Sequence, residues 1–377
     1  MRVLHVTEAS TSGTFAVVRT LCERLAKNGH DVALACGRRP ETPADAAGDP
    51  EPAVEYVTLP WQRRSVRAHA AAARALRALV RTWRPDIVHL HSAFAGFVGV
   101  LALGRSGIPL VYTAHGSPLG RTVDGRLRLA AYARLEGFVA RRVALVGAVS
   151  AAEAALVAAI APSARIAVVA NGIAELDEGA LPEARGRSGA RVVALGRIVR
   201  QRRPAETARI LSALAPQAEV LWIGDGPPAQ TAAVRAAGVP ITGWLPRAQA
   251  LDRLAAATVL VHWSASDGAA LAILEAMARD VVVVASDIAP NRELVGDAQT
   301  CGEAEEAVAL VRAVLADAVL RERLLAGQRE RRERYGAADM TAGWVTLYGG
   351  LLGSESAGAT APCAPAESLP AGGARWS

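Results

Sequence analysis

A chain of 377 residues is too long for one ordinary hydrophobic core and suits two domains of about 150 to 190 residues each. An apolar share of 51% against 21% charged excludes an intrinsically disordered chain. The net charge of +6 rests almost wholly on arginine, with Lys27 the only lysine. Guanidinium groups suit anionic ligands or an acidic membrane surface, whereas the spread of the arginines and 4% aromatics argue against nucleic acid as a partner.

The N-terminal MRVLHVTEAS passes straight into a strand-like pattern, without a basic and then apolar leader. The longest uncharged run, around residues 90–104, falls short of the ~20 residues that span a bilayer. A cytoplasmic location is expected, with a seat on the inner face of the membrane as the alternative. Cys22, Cys36, Cys301 and Cys363 have no CxxC or Cys/His spacing, so a reducing compartment and no metal are expected.

Along the chain, Val/Ile/Leu-rich strand candidates fall at residues 3–6, 32–35, 54–59, 87–90, 110–113, 145–149 and 166–169, separated by segments of helical spacing such as Val17, Val18, Leu21 and Leu25. Apolar strands alternating with helices predict a parallel sheet covered on both faces. The turn Thr11-Ser12-Gly13-Thr14 stands where a phosphate-binding turn would, but it is not GxGxxG.

Arg67, Arg74, Arg77, Arg81 and Arg84 share one side of a helical wheel, opposite Val66, Ala73, Leu76, Val80 and Trp83. That describes a solvated basic face, with peripheral membrane contact through the Arg67–Arg84 helix as the sharper alternative. His89 and His91 share a face of one strand end, but no third ligand stands at a readable spacing, so metal binding is not expected. His115, in YTAHGSP, ends a strand as either a cleft-facing group or a turn histidine.

Residues 175–191 are rich in Gly, Pro and charge and read as a linker between an N-terminal domain, 1–174, and a second, 192–335. The alternation restarts with strand candidates at 192–195, 220–223, 240–242, 259–262 and 281–285. Two doubly wound α/β, Rossmann-like domains facing a central cleft are therefore expected, with ligands beyond the carboxyl ends of the strands. A helix at 336–352 is expected to return to the first domain, and the Ala/Pro/Gly/Ser-rich 353–377 to be a disordered tail.

In the second half, Arg197, Arg200, Arg202 and Arg203 follow a strand and are either a solvated basic loop or, for one or two of them, a diphosphate clamp. There is no Asp-X-Asp triplet to hold Mg²⁺ in their place. Gly224 and Gly226 in IGDGP would let a ligand approach the backbone. In SDGAALAILEAMARD, Glu275 is the single polar residue of the ten from 269 to 278, and a carboxylate buried there costs several kcal/mol unless donors meet it. Asp267 is equally a helix N-cap or the edge of an anion or sugar-hydroxyl site.

These pieces, in their order, resemble the retaining glycosyltransferases of family 4, which have the GT-B fold. The likeness covers roughly residues 1–350: HVTEAS, NGHDV, PDIVHLHS, YTAHG, AVS and VANGI in the first half, then GR at Gly196-Arg197, GDGP, the TGW turn and Asp267-X7-Glu275 with EAMA. The resemblance implies a nucleotide sugar as co-substrate, no cofactor and no metal, and a lipid-linked or small-molecule acceptor in polysaccharide or glycolipid assembly. It implies that Glu275 binds the ribose, and that Arg197 and Arg202 neutralise the diphosphate. Asp267, His115 and Gly13 would lie at the sugar and phosphate, the amides of Gly268, Ala269, Ala270 and Leu271 would hold the sugar, and Gly224 and the Gly243-Trp244-Leu245 turn would flank the base. Asp267 replaces the usual Glu, and Arg203 a usual Gly. A catalytically silent sugar-nucleotide-binding subunit and a GT-B epimerase are the alternatives.

Overall fold

The computed structural model describes residues 1–8, 13–37, 51–61, 65–116, 125–176 and 189–353. The Thr11-Ser12 turn, most of the expected linker and the tail from residue 354 lie outside the described residues.

The first half alternates β1 (Arg2–Thr7), α1 (Gly13–Lys27), β2 (Asp31–Gly37), β3 (Val54–Leu59), α2 (Val66–Trp83), β4 (Ile87–His91), α3 (Ala93–Leu103), β5 (Leu110–Thr113), α4 (Arg126–Ala140), β6 (Leu145–Ala148), α5 (Ala151–Ile160) and β7 (Ile166–Val168). The seven strands form one parallel sheet in the order β3-β2-β1-β4-β5-β6-β7. Near-continuous burial of β1, β4, β5 and β6 is what their unbroken apolar runs require, with helices on both faces.

The second half holds β8 (Arg191–Leu195), α6 (Pro204–Leu214), β9 (Glu219–Ile223), α7 (Pro228–Ala236), α8 (Arg247–Ala255), β10 (Val259–His262), α9 (Leu271–Met277), β11 (Val282–Ser286), α10 (Ala289–Val295), β12 (Thr300–Cys301), α11 (Ala304–Ala316), α12 (Ala318–Arg332) and α13 (Ala337–Gly353). Its five strands are parallel in the order β12-β11-β10-β8-β9. The strand expected at 240–242 is not formed: Ile241 makes only an isolated bridge to Trp222, because Pro240 offers no amide to a ladder. The two-residue β12 carried no readable alternation.

Two apolar clusters sit on the outer faces of the sheets, and a third, running through α1, α9 and α13, joins them. α13 packs on α1, and its Trp344 lies where a side chain at Gly147 would be, 2.2 Å from a Cβ built there. Across the gap, α5 takes a cap from the second sheet's side: the amides of Ala151 and Ala152 donate to the Glu293 carboxylate on α10, at 3.0 and 2.8 Å. In α2 the buried face is Ala72, Leu76 and Val80, and Val66, expected among them, is 87% exposed at the first turn. Arg77, on the expected solvent face, donates to the carbonyls of Leu101 and Ala102. No helix among the described residues is long and apolar enough to cross a membrane.

Candidate functional site

Each sheet reverses its strand order once, between β1 and β4 in the first and between β8 and β10 in the second. Loops diverge at such points and leave a crevice beyond the carboxyl ends of the strands. The residues that follow these strands meet there. From the first sheet come Gly13, opening α1, and His91 and His115; from the second come Arg202 after β8, and Asp267 to Leu271 after β10.

The two sides touch at their backbones. A Cβ on Gly268 would lie 2.5 Å from the Gly116 amide nitrogen, so only glycine fits. Gly116 itself has φ 101, and the preceding His115 has φ 55, a left-handed conformation that is uncommon for a side-chain-bearing residue. Asn171 donates to the Ala269 carbonyl at 3.2 Å and ties the first half to the loop before α9. Gly13 is adjacent as well, with Leu271 Cδ1 3.7 Å from a Cβ built on it.

Asp267 is not a helix cap. α9 begins at Leu271 with Ala270 as its cap, and the Asp267 carboxylate accepts from side chains instead. Its Oδ2 takes bonds from Arg202 Nη1 at 3.0 Å, His262 Nε2 at 2.9 Å and Ser264 Oγ at 2.5 Å, and Gln201 Nε2 donates to Oδ1 at 3.3 Å. Burial pushes this carboxyl up, but Arg202, with His262 and Ser264, outweighs it and holds Asp267 below the usual carboxylate range. Asp267 is ionised, and it fixes Arg202, which also lies against the His262 ring. Burial, and then Arg202, lower the His262 pKa.

Glu275 is buried as its apolar helix foretold, 5% exposed. The donor that meets it is Arg247, opening α8, whose Nη1 lies 2.5 Å from Oε1. Among the described residues nothing donates to Oε2. Burial raises the Glu275 pKa and Arg247 partly offsets that, while Glu175 nearby adds to the rise. Glu175 sits 3.8 Å from Arg247 and 3.5 Å from Arg279, making a chain of alternating charge.

The remaining expected residues separate into two groups. Gly224 has φ 138, and a Cβ there would be 2.3 Å from the Gly196 carbonyl oxygen, so its glycine permits the approach of one loop to another. Gly243 bridges Gly224, Trp244 is 55% exposed, and Leu245 packs on the core between the halves. Arg197 is exposed at the end of β8. Arg203 has φ 41, a conformation that favours glycine, and pairs with Glu206 at 3.2 Å.

Sequence reasoning missed Arg247, His262, Asn171 and His5. Arg247 lies in a polar run that reads as solvated, and no local pattern links it to Glu275. His5 had a signal: the parallel register sets it opposite His89, which places a third histidine beside His89 and His91.

Residues 11–175 match the family described as Glycosyltransferase Family 4, and residues 189–318 match the Glycosyl transferases group 1. A curated relative, the "Putative teichuronic acid biosynthesis glycosyltransferase TuaC" of Bacillus subtilis (strain 168), is 26% identical over 268 residues. That match covers 65% of this chain and 64% of the relative, just under two thirds of its length. Among solved structures, the sucrose-phosphate synthase of Thermosynechococcus elongatus superposes with a TM-score of 0.81 at 17% identity, covering 94% of this chain and 99% of that one. HepE of Anabaena, solved in complex with UDP-glucose, gives 0.74 at 17% identity, covering 93% and 100%. WaaG, a glycosyltransferase involved in lipopolysaccharide biosynthesis, gives 0.73 at 15%, covering 92% and 100%. At such identities the likeness to these structures is one of fold.

Proposed function

The chain belongs to the family 4, group 1 glycosyltransferases and has their GT-B fold, and from that premise we propose that it moves a sugar from a UDP- or GDP-sugar to an acceptor hydroxyl with retention of configuration. The observation that carries this is the buried Glu275 carboxylate, with Oε2 lacking a donor, on the same side of the crevice as the Asp267-anchored Arg202.

In this reading Oε2 of Glu275 accepts from the ribose hydroxyls while Arg247 holds Oε1. Arg202 and Arg197 neutralise the leaving diphosphate, which makes catalysis electrostatic, and the acceptor attacks from the same face as the leaving group. The arginines supply the charge in place of a metal. The base lies by the Gly243-Trp244-Leu245 turn and Gly224. His115 and Gly13 face the transferred sugar from the first sheet, with Gly268 to Leu271 opposite. Asp267 acts through Arg202 rather than on the sugar, since its oxygens already accept from Arg202, His262, Ser264 and Gln201.

A lipid-linked or small-molecule acceptor of cell-surface polysaccharide or glycolipid assembly is in keeping with the name of the Bacillus relative, and a UDP-sugar with the HepE complex. The basic face of α2 offers peripheral contact to the cytoplasmic leaflet. The test is a panel of nucleotide sugars with and without cell-lipid acceptors, following nucleotide release and the anomeric configuration of the product. Nucleotide binding without turnover on any pair would point to a silent subunit, and a changed sugar still attached to its nucleotide would point to an epimerase.

A further inference from the structure

Four histidines lie together at the carboxyl edge of the first sheet, and the proposed reaction uses one of them. His5, His89 and His91 are almost fully buried, and His115 adjoins the crevice. His5 Nδ1 and His91 Nε2 share a hydrogen bond at 3.0 Å, and His91 Nδ1 and His115 Nε2 share the next at 2.9 Å. His89 stands aside, bonded at Nδ1 to the Tyr348 hydroxyl at 2.6 Å and at Nε2 to the Thr113 hydroxyl at 2.9 Å.

The three-ring chain has two loose ends. His5 Nε2 and His115 Nδ1 are both buried and both without a partner. Burial pushes the pKa of His5 down to about 3 and that of His115 down to about 4, and lowers that of His91 well below its usual range, so all three rings are neutral at physiological pH. A neutral imidazole carries one N–H and one lone pair. Along a chain of such rings each proton therefore dictates the next, and only two arrangements satisfy both shared bonds.

In the first, His5 Nδ1–H donates to His91, His91 Nδ1–H donates to His115, and His115 is left with its proton on Nδ1. In the second every proton is reversed, and a bare N–H is stranded at His5 Nε2, deep in the core. Either arrangement leaves one N–H without a bond, at His115 Nδ1 or at His5 Nε2, but His5 is sealed in the core, whereas His115 is partly exposed at the crevice, where a ligand can supply the acceptor. Asn171, beside the His115 ring, partly offsets the fall of its pKa, which bears equally on both arrangements. The first arrangement prevails.

We propose that His5 and His91 are positioning residues that set the tautomer of His115, so that its Nδ1–H, covered in the substrate-free protein, is held ready for an oxygen of the substrate in the crevice. The substrate oxygen rests on the reading of the crevice as a donor site; the tautomer does not. A metal ion is the competing use of the cluster, since ring nitrogens of His5, His89 and His91 lie within 4.8 Å of one another. Both nitrogens of His89 and both of His91 are already engaged, which leaves a single ligand where zinc needs three or four.

The experiment is ring nitrogen–proton correlation NMR on the substrate-free protein with ¹⁵N-labelled histidine. Expected are a protonated Nδ1 and a bare Nε2 on His115, and a bare Nε2 on His5. His5→Phe should let His115 exchange between tautomers and lower kcat about tenfold with KM little changed, the effect of one lost hydrogen bond. His5→Asn, whose amide nitrogen stands near the Nδ1 place, should restore the His115 Nδ1–H signal. A proton on His115 Nε2 in the unaltered protein overturns the proposal, even if His5→Phe does not fold. An unchanged His115 tautomer in His5→Phe, or stoichiometric uptake of added zinc with shifts at His5, His89 and His91, also overturns it. A protein that shows the expected tautomer but transfers no sugar would sink the glycosyltransfer reading alone.

Discussion

Arg247 and Glu275 form a half-buried ion pair in which the arginine occupies one carboxylate oxygen, Oε1, at 2.5 Å. A carboxylate held by one oxygen presents the other in a fixed direction, as a ribose-binding group must. Glu275→Gln should weaken UDP and GDP binding about tenfold or more, the usual loss for a charged hydrogen bond. Arg247→Ala leaves burial and Glu175 to raise the Glu275 pKa against Arg279 alone. A raised carboxyl takes its proton at higher pH, so nucleotide affinity of Arg247→Ala should fall at a higher pH, as the solution is acidified, than that of the unaltered protein. Calorimetric titration measures both, and unchanged affinity in Glu275→Gln removes that residue from the site.

Arg202 is the cation that Asp267 fixes. Arg202→Ala should lower kcat about 10² to 10³-fold, as when one preorganised charge donor is lost at a leaving group. Arg202→Lys should recover only part, since lysine is a point charge without the planar fork. Asp267→Glu should lower kcat rather than raise it: the added methylene enters a site where Arg202, His262 and Ser264 already close on Oδ2. Steady-state nucleotide release checks all three. A gain in kcat for Asp267→Glu would return the carboxylate to the sugar.

Gly268→Ala tests the contact between the two loops. Its Cβ would stand 2.5 Å from the Gly116 nitrogen and 3.0 Å from Val149 Cγ2, and backbone must shift to admit it. A loss of about 1 to 3 kcal/mol in stability and a fall in turnover are expected, measured by thermal unfolding and by nucleotide release.

Glu136 gives a pH signature of stability away from the crevice. It is buried in α4, accepts from the Tyr112 hydroxyl at 2.9 and 3.0 Å, and burial raises its pKa to about 7. The folded state thus binds the proton more tightly than the unfolded chain does. This group's stabilising contribution is complete below the unfolded value, about 4.5, and is lost as pH rises through about 7, a difference of about 3 kcal/mol. Glu136→Gln should flatten that part of the stability–pH curve and unfold at a higher temperature than the parent at pH of about 8. An unchanged slope in urea titrations across the same range contradicts the assignment.

Parallel strands announce themselves because burial on both faces demands unbroken apolar runs, and β1, β4, β5, β10 and β11 were all legible for that reason. The burial of Glu275 was legible too, from its lone place in an apolar helix. Its partner was not: Arg247 approaches from an element 28 positions away, and nothing in LPRAQ distinguishes it from a solvated arginine. Asp267 shows the opposite difficulty, since an Asp-Gly before an apolar run fits a helix cap on local grounds. Here the chain turns three residues later, and side-chain donors, not amides, claim the carboxylate. The histidine chain depends on strand register, which no single strand carries in its own residues.

The Glu293 carboxylate that receives the Ala151 and Ala152 amides makes the start of α5 complete only while α10 lies against it. A helix cap is worth about 1 kcal/mol, so this one acts as a latch shared between the lobes. Any motion that parts α5 from α10 exposes two helix amides and a bare carboxylate to water at once. Both can be rehydrated, so the penalty is small enough for thermal motion to meet and large enough to bias the pair towards contact. The contact between the two lobes thus includes a helix end that stands apart from the residues proposed to hold the substrate.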